Sequence, residues 1–132
     1  MARSASEHPT ELELLILKVL WAESPLPVRD IRQALALAGR KLAHTTVITT
    51  LNVMVRKKFV RRTMDGKACL FASRVNREQV SSKMLRDIVE RVFDGSAAAV
   101  VLNLFDRADL KADEIKELRQ ILRQKTQQEK SP

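Results

Sequence analysis

The amino-acid sequence predicts a mostly α-helical fold with one small β-hairpin. Apolar residues recur three and four positions apart along most of the chain, which is typical of amphipathic helices. One pair of short β-prone segments interrupts this pattern, with the turn-forming dipeptide Asp65-Gly66 between them. Hydrophobic residues make up 45% of the 132 residues and charged residues 30%, a composition typical of proteins with a buried core.

Three helices are predicted before the hairpin. The first starts at Thr10, where Glu13 completes a capping-box signature. The second is expected over residues 28–38 and ends at Gly39, because glycine tolerates the positive φ that often closes a helix. The third is expected over residues 44–58, and the hairpin follows it directly.

The hairpin is expected to pair residues 59–64 with residues 67–71 across Asp65-Gly66, which suits a type I′ turn. Three helices and a hairpin, in this order, form a winged helix-turn-helix, whose third helix enters the major groove while the hairpin lies along the flanking backbone. We therefore expect a winged helix-turn-helix DNA-binding domain in residues 1–75. Three further helices, in residues 76–132, are expected to form a dimerisation domain.

Positive charge is concentrated in the first of these two regions. Residues 1–75 hold 13 lysines and arginines against 6 aspartates and glutamates, a net +7, whereas residues 76–132 hold 11 against 10, a net +1. A localised basic surface attracts phosphate. Aromatic residues make up only 4% of the chain, which disfavours base stacking on single strands and favours a duplex partner.

The third predicted helix has an apolar face and a polar face. Placed at 100° per residue, Val47, Leu51 and Met54 share the apolar face. Threonine is a mediocre helix former, so its abundance on the polar face favours a functional role, because its methyl group contacts thymine. Asparagine suits a bidentate contact with adenine. The candidate base-reading residues are Thr45, Thr46, Thr49 and Asn52.

The threonines of the third helix also have an explanation that involves no contact with DNA. They are also compatible with chance substitution on a helix surface, or with hydroxyl bonds to the carbonyl four positions earlier. Basic residues around the helix and hairpin are predicted to contact DNA phosphates, which position a protein without reading sequence. The candidate phosphate-binding residues are Arg40, Lys41, His44, Arg56, Lys57, Lys58, Arg61, Arg62 and Lys67.

The three helices of the second region are expected to complete their core with a second copy of the chain. A unit of 57 residues rarely buries enough apolar area alone, and residues 97–102 are apolar on every side. A two-fold dimer would place two third helices on a palindromic operator. Packing against the first region is the alternative. The candidate dimerisation residues are Val80, Met84, Ile88, Val100, Val101, Leu102, Leu104, Phe105, Ile115, Leu118, Ile121 and Leu122.

Other classes of function receive little support from the sequence. The chain has two histidines, one cysteine, no glycine-rich phosphate loop and no paired carboxylate motif, so we expect neither an enzyme nor a cofactor nor a metal site. The longest apolar run, 97–102, is far below the roughly 18 residues that span a bilayer. The polar start of the chain does not resemble a signal peptide, so a cytoplasmic location is expected.

The sequence resembles the penicillinase-repressor (BlaI/MecI/CopY) family along almost its whole length. The matching segments are 10–13 (TELE), 19–21 (VLW), 44–51 (HTTVITTL), the basic run that follows and 101–104 (VLNL). The resemblance implies a winged-helix repressor with a helical dimerisation domain that binds palindromic operators. In the copper-responsive branch the C-terminal tail carries a cysteine cluster, which this chain lacks, so copper sensing by that route is excluded.

The resemblance also implies a means of induction. In the β-lactam branch, a membrane-bound sensor metalloprotease triggers cleavage after an asparagine in the fifth helix. The matching bond here is Asn103–Leu104, although the family usually has phenylalanine at the second position. A different class of function also remains open, in which the basic face of a winged-helix module binds an acidic protein.

Overall fold

The computed structural model describes residues 8–107 and 110–130. Contacts divide the chain into two compact units, of which the first ends at Arg86 and the second begins at Asp87. The elements, in chain order, are α1 (Glu11–Ala22), β1 (Leu26–Pro27), α2 (Val28–Leu37), α3 (His44–Arg56), β2 (Val60–Asp65), β3 (Ala68–Ser73), α4 (Arg77–Arg91), α5 (Ala97–Arg107) and α6 (Ala112–Lys130).

The start of α1 follows the predicted capping box. The Thr10 hydroxyl accepts a hydrogen bond from the Glu13 backbone N–H at 3.2 Å, and the Glu13 carboxylate accepts one from the Thr10 backbone N–H at 2.8 Å. These bonds satisfy N–H groups that the first turn of a helix leaves without intrahelical partners. The backbone thus enters α1 in the conformation that the sequence predicts.

The core of the first unit lies where α1, α2 and α3 meet the inner face of the sheet. Each helix contributes a stripe of apolar side chains, as its periodicity predicts, and β3 contributes Phe71 from the sheet. Leu17 of α1 belongs to this core as well. The residues that are at most 2% exposed are Ile16, Leu17, Leu20, Ile31, Leu35, Val47, Leu51, Met54, Val60 and Phe71.

The hairpin belongs to a three-stranded antiparallel sheet with the order β1-β3-β2. Strand β1 pairs Leu26 with Phe71, and its two residues are too few to produce a periodic signal in the sequence. The predicted turn is one residue out, because Asp65 pairs with Ala68 and leaves Gly66 and Lys67 as the loop. Gly66 has φ +62°, and glycine at the first loop position is the preference of a type II′ turn, not type I′.

Two helices of the first unit end in the same backbone motif. Beyond α2, Gly39 has φ +94° and the Arg40 N–H donates to the Leu35 carbonyl at 2.8 Å. Beyond α3, Lys58 has φ +68° and the Phe59 N–H donates to the Met54 carbonyl at 2.9 Å. Both are Schellman motifs, in which a residue in the left-handed region closes the last turn. α3 therefore ends about two residues earlier than predicted.

The boundary between the units differs from the one expected at residues 75 and 76. It lies within α4, because the first turns of that helix pack on the core of the first unit. Val80 is 8% exposed in this core and Met84 packs against it. Val80 therefore has little apolar surface left for a second copy of the chain, whereas Met84 is only partly buried, and a role of both residues in dimerisation stays a prediction.

The second unit contains the end of α4 together with α5 and α6. Apolar side chains of α5 and α6 remain largely exposed in the single chain, whereas Val100 and Ile115 are partly buried. None of the helices in the described ranges is long and apolar enough to cross a membrane. The first unit, with three helices before a two-stranded wing, is a winged helix-turn-helix, as predicted.

Candidate nucleic-acid interface

The polar face of α3 is open to solvent along its length. The side chains of Thr45, Thr49 and Asn52 are exposed, while Val47 and Leu51 on the opposite face are fully buried. This division follows from the helical period, because positions three to four apart share a face. The four candidate base-reading residues thus lie on exposed positions of one helix, and Thr46 is also exposed.

One threonine of this helix makes the internal bond considered above. The Thr50 hydroxyl donates to the Thr46 carbonyl at 2.7 Å, four positions earlier, and Thr50 is only partly exposed. This bond occupies the hydroxyl proton of a residue outside the candidate set. The hydroxyls of the predicted base-reading threonines, Thr45, Thr46 and Thr49, lie at exposed positions of the helix.

Asn52 and Arg62 are joined across the boundary between α3 and β2. An Arg62 guanidinium N–H donates to the Asn52 Oδ1 at 2.8 Å, and the guanidinium carbon lies 5.9 Å from the centroid of the Phe71 ring. Phe71 is the Cα partner of Arg62 on β3 and is fully buried. Arg62 is thus held next to α3 by a hydrogen bond and an aromatic ring, unlike a basic side chain that extends freely into solvent.

The basic residues around α3 fall into distinct groups. Successive side chains of a strand point to opposite faces, so Arg61 and Arg62 do not share a face of β2. Arg61 and the loop residue Lys67 are exposed, as are Arg56 and Lys58 at the end of α3. These four cations and Lys41 are solvent-accessible and close to α3 in sequence, and the His44 imidazole in the first turn of α3 is exposed as well.

Lys57, one of the predicted phosphate contacts, is paired with a carboxylate inside the first unit. Its ammonium lies 3.0 Å from each carboxylate oxygen of Glu13, which is 3% exposed. The Lys57 side chain is only 18% exposed. Its charge is paired with a buried carboxylate that would otherwise lack a counter-charge, so the ion pair links the start of α1 to the end of α3.

Arg40 also has a partner within the first unit, but an exposed one. Its guanidinium lies 2.9 Å from the Glu11 carboxylate, and the two side chains are 39% and 85% exposed. An ion pair this exposed contributes little to stability, since water screens it. Arg40 therefore remains able to exchange Glu11 for a phosphate.

A basic cleft between α2 and the loop before α3 contains two arginines outside the predicted phosphate set. Arg29 and Arg32 of α2 line it together with Lys41, and its volume is about 290 Å3. The Arg32 Nε donates to the Leu42 carbonyl at 2.7 Å, which holds the loop that leads into α3. The spacing of Arg29 and Arg32 on one helical face, ahead of Lys41, is the signal that would have identified this group.

In the second unit, exposed apolar side chains concentrate on α5 and α6. Asn103 and Leu104, which form the candidate cleavage bond, both lie within α5 and are exposed. Isolated exposed apolar residues are normal, but so many on two neighbouring helices of the chain are unusual for a monomer surface. The predicted dimerisation residues that are exposed are Ile88 at 43%, Val101 at 40%, Leu102 at 63%, Leu104 at 51%, Phe105 at 44%, Leu118 at 37%, Ile121 at 47% and Leu122 at 60%.

Histidine, cysteine, aspartate and glutamate side chains were also considered as metal ligands. Within the described ranges, no three histidine, cysteine, aspartate or glutamate side chains are grouped so as to hold a metal ion. Cys69 is a free thiol in β3 and is partly buried. The candidate site is thus the surface around α3, with its exposed threonines, Asn52 and the neighbouring cations.

Sequence comparison connects this geometry to known proteins. The sequence model described as penicillinase repressor matches residues 9–124, which include both units. The chain belongs to the penicillinase-repressor family. This is the BlaI/MecI family of transcriptional regulators, so the predicted relationship is confirmed.

Individual relatives span most of the chain. The Transcriptional regulator BlaI of Mycobacterium tuberculosis is 32% identical over 114 residues, 85% of this chain and 80% of the relative. The Methicillin resistance regulatory protein MecI of Mammaliicoccus sciuri is 26% identical over 110 residues, 83% and 89% of the two chains. The Penicillinase repressor of Bacillus licheniformis is 22% identical over 113 residues, 86% and 88% of the two chains.

A solved structure is similar only distantly. The crystal structure of the adhesin competence repressor of Streptococcus pyogenes gives a TM-score of 0.43 at 13% identity, over 93% of this chain and 82% of that one. A similarity this weak supports no argument about the present chain. The winged-helix assignment depends on the order of elements in the first unit and on the family.

Proposed function

We propose that this protein is a transcriptional repressor that binds a palindromic operator as a homodimer. The observation that carries the proposal is the exposed polar face of α3, where Thr45, Thr49 and Asn52 lie opposite a buried apolar face and between flanking basic residues. In a winged helix-turn-helix the third helix reads base edges in the major groove. The relatives named above are regulators and repressors, which supports the same function.

The proposed interface makes two classes of contact, one with base edges and one with phosphates. Threonine methyl groups and hydroxyls, and the Asn52 amide, have the chemistry to recognise base edges. Exposed cations of α3, the wing and the α2 cleft neutralise phosphates and fix the register of the protein on DNA. The phosphate set that we propose is Arg29, Arg32, Arg40, Lys41, His44, Arg56, Lys58, Arg61 and Lys67.

The dimer is proposed from the surface of the second unit. The exposed apolar residues of α5 and α6 would be buried between two copies, and a two-fold axis would present two α3 helices to the two halves of a palindrome. A dimer doubles the number of phosphate contacts, and each contact adds about 0.9 to the slope of log affinity against log salt. Binding should therefore weaken steeply as salt increases.

Fluorescence anisotropy with duplex DNA from upstream of the protein's own gene tests the proposal. We expect tighter binding to this duplex than to a random duplex of equal length, and loss of this preference in the variant with Thr49→Ala and Asn52→Ala. Lys18→Ala, at an exposed position of α1, serves as a control that should retain the preference. Equal affinity for both duplexes would contradict sequence-specific binding and favour an acidic protein as the partner.

Cleavage of the Asn103–Leu104 bond is proposed as the route of release. Cutting within α5 would divide the second unit and separate the two DNA-binding surfaces of the dimer. Both residues are exposed in the single chain, so a protease could reach the bond whenever the two chains of the dimer are apart. Immunoblots of induced cells provide the test, since a chain that stays intact while its target genes are expressed would contradict this route.

A further inference from the structure

We propose that Asn52 and Arg62 act as one unit that recognises a guanine in each half of the operator. This inference depends on the proposed function and names a base that the paired side chains would select. From the sequence alone, Asn52 is expected to read adenine and Arg62 to contact a phosphate. Their hydrogen bond of 2.8 Å changes both assignments.

The direction of that hydrogen bond follows from chemistry. A guanidinium group has five N–H donors and no acceptor, so the atom of Asn52 that faces it must be the carbonyl oxygen. The bond therefore fixes the orientation of the amide. It points the two Nδ2 protons of Asn52 away from Arg62, and Asn52 is exposed on the polar face of α3.

Arg62 is held on the side that faces α3. Val60, two positions earlier on β2, is 1% exposed, and side chains two apart share a face of a strand. Arg62 therefore projects from the same face as the core, where the Phe71 ring lies 5.9 Å from its guanidinium carbon. Restricting the guanidinium before DNA binds lowers the entropy that is lost when it contacts a base.

The paired side chains present mainly donors to an incoming base. These donors are the Nδ2 protons of Asn52 and the guanidinium protons that Asn52 does not use. Guanine displays two acceptors in the major groove, N7 and O6, whereas adenine displays the acceptor N7 beside the donor N6 amino group. An adenine amino group would meet the positive charge of Arg62, so the pair favours guanine over adenine.

Arg61 supplies a matched control on the neighbouring position. It is exposed and lies on the opposite face of β2, so it has no part in the Asn52–Arg62 bond. As a phosphate contact it should affect all sequences equally. Arg61→Ala and Arg62→Ala remove the same charge, and only the second should change which base is preferred.

The test uses a duplex that the wild-type chain selects from a randomised DNA library. Each guanine of the selected half-site is replaced by adenine, by 7-deazaguanine, which lacks the N7 acceptor, or by inosine, which retains N7 and O6. We expect one guanine per half-site at which adenine and 7-deazaguanine each weaken binding roughly 10- to 100-fold, while inosine has little effect. Anisotropy titrations at fixed salt give these ratios.

Variants of Asn52 and Arg62 determine whether these two residues contact that guanine. Asn52→Ala, Arg62→Ala and the double variant should each lose the penalty at that one position, and the double variant should lose no more than either single one. Thermal unfolding of each variant, compared with wild type, separates misfolding from altered base preference. Arg61→Ala should weaken binding to every duplex and retain the full penalty.

The outcomes distinguish this inference from the proposed function. If no duplex is enriched from the library, both are overturned. If a duplex is enriched and Asn52→Ala keeps the wild-type penalty at every guanine, the inference alone is overturned. The same conclusion follows if Arg62→Ala weakens all duplexes equally, because Arg62 would then be a phosphate contact like Arg61.

Discussion

The Lys57 ammonium lies 3.0 Å from both carboxylate oxygens of Glu13, a residue 44 positions away in the sequence. Glu13 also accepts the hydrogen bond that caps α1. One buried carboxylate thus fixes the start of α1 and contacts the residue that follows α3. The position of the polar face of α3 within the domain depends in part on this ion pair.

Lys57→Met should destabilise the first unit by roughly 3 kcal/mol, because it leaves the Glu13 carboxylate buried without a counter-charge. Adding Glu13→Gln should recover part of the loss, since glutamine still caps the helix and carries no charge. Urea unfolding measures both free energies. Greater instability of the double variant than of Lys57→Met would contradict this account of the pair.

Lys57→Met also tests whether Lys57 contacts a DNA phosphate. Because the ammonium is occupied by Glu13, Lys57→Met should leave the salt dependence of DNA binding unchanged under conditions in which the variant is folded. Lys58→Met provides the comparison and should reduce the slope. A reduced slope for Lys57→Met would return Lys57 to the phosphate contacts.

Lys58→Gly should have opposite effects on stability and DNA binding. Lys58 has φ +68°, which costs a residue with a side chain about 1 kcal/mol that glycine does not lose. We expect the free energy of unfolding to rise by about that amount, while affinity for DNA falls because a cation is removed.

Lys58→Ala is the control for this pair of effects. It removes the same charge but keeps a Cβ atom at the positive φ, so DNA affinity should fall as in Lys58→Gly without a gain in stability. Equal stability of the alanine and glycine variants in urea would show that the backbone at this position is not strained.

The basic cleft of α2 should contribute sequence-independent affinity. Arg29→Gln and Lys41→Gln each remove one cation per chain, and hence two per dimer, so each should lower the magnitude of the log–log salt slope by about 1.8. The ratio of operator to random-duplex affinity should remain that of wild type. A changed ratio would indicate that the cleft reads bases.

Leu102→Asp and Leu122→Asp should shift the protein from dimer to monomer in sedimentation velocity. Both side chains are among the most exposed apolar groups of α5 and α6, at 63% and 60%. Leu37→Asp is the matched control, since Leu37 is 86% exposed but belongs to the first unit. A monomeric wild-type protein, or an equal shift in the Leu37 variant, would contradict a dimer formed by the second unit.

Sequence reasoning succeeded where a signal is local and periodic. The capping box at Thr10 and the two faces of α3 were predicted because each depends on residues within a few positions along one helix. The hairpin turn was placed one residue early, because Asp65-Gly66 matches a familiar turn dipeptide while cross-strand pairing selected Gly66 and Lys67. The two-residue β1 had no pattern to detect.

The order of elements, the winged helix-turn-helix fold, the family and the exposed face of α3 could all be predicted from the amino-acid sequence. Which charged residues have partners within the domain became clear from the three-dimensional contacts. Lys57 and Arg62 are both cations near the end of α3, yet Glu13 takes the first and Asn52 holds the second. The reason is physical: charge and periodicity are properties of neighbouring positions, whereas a partner for a side chain is set by distances between elements far apart in the chain.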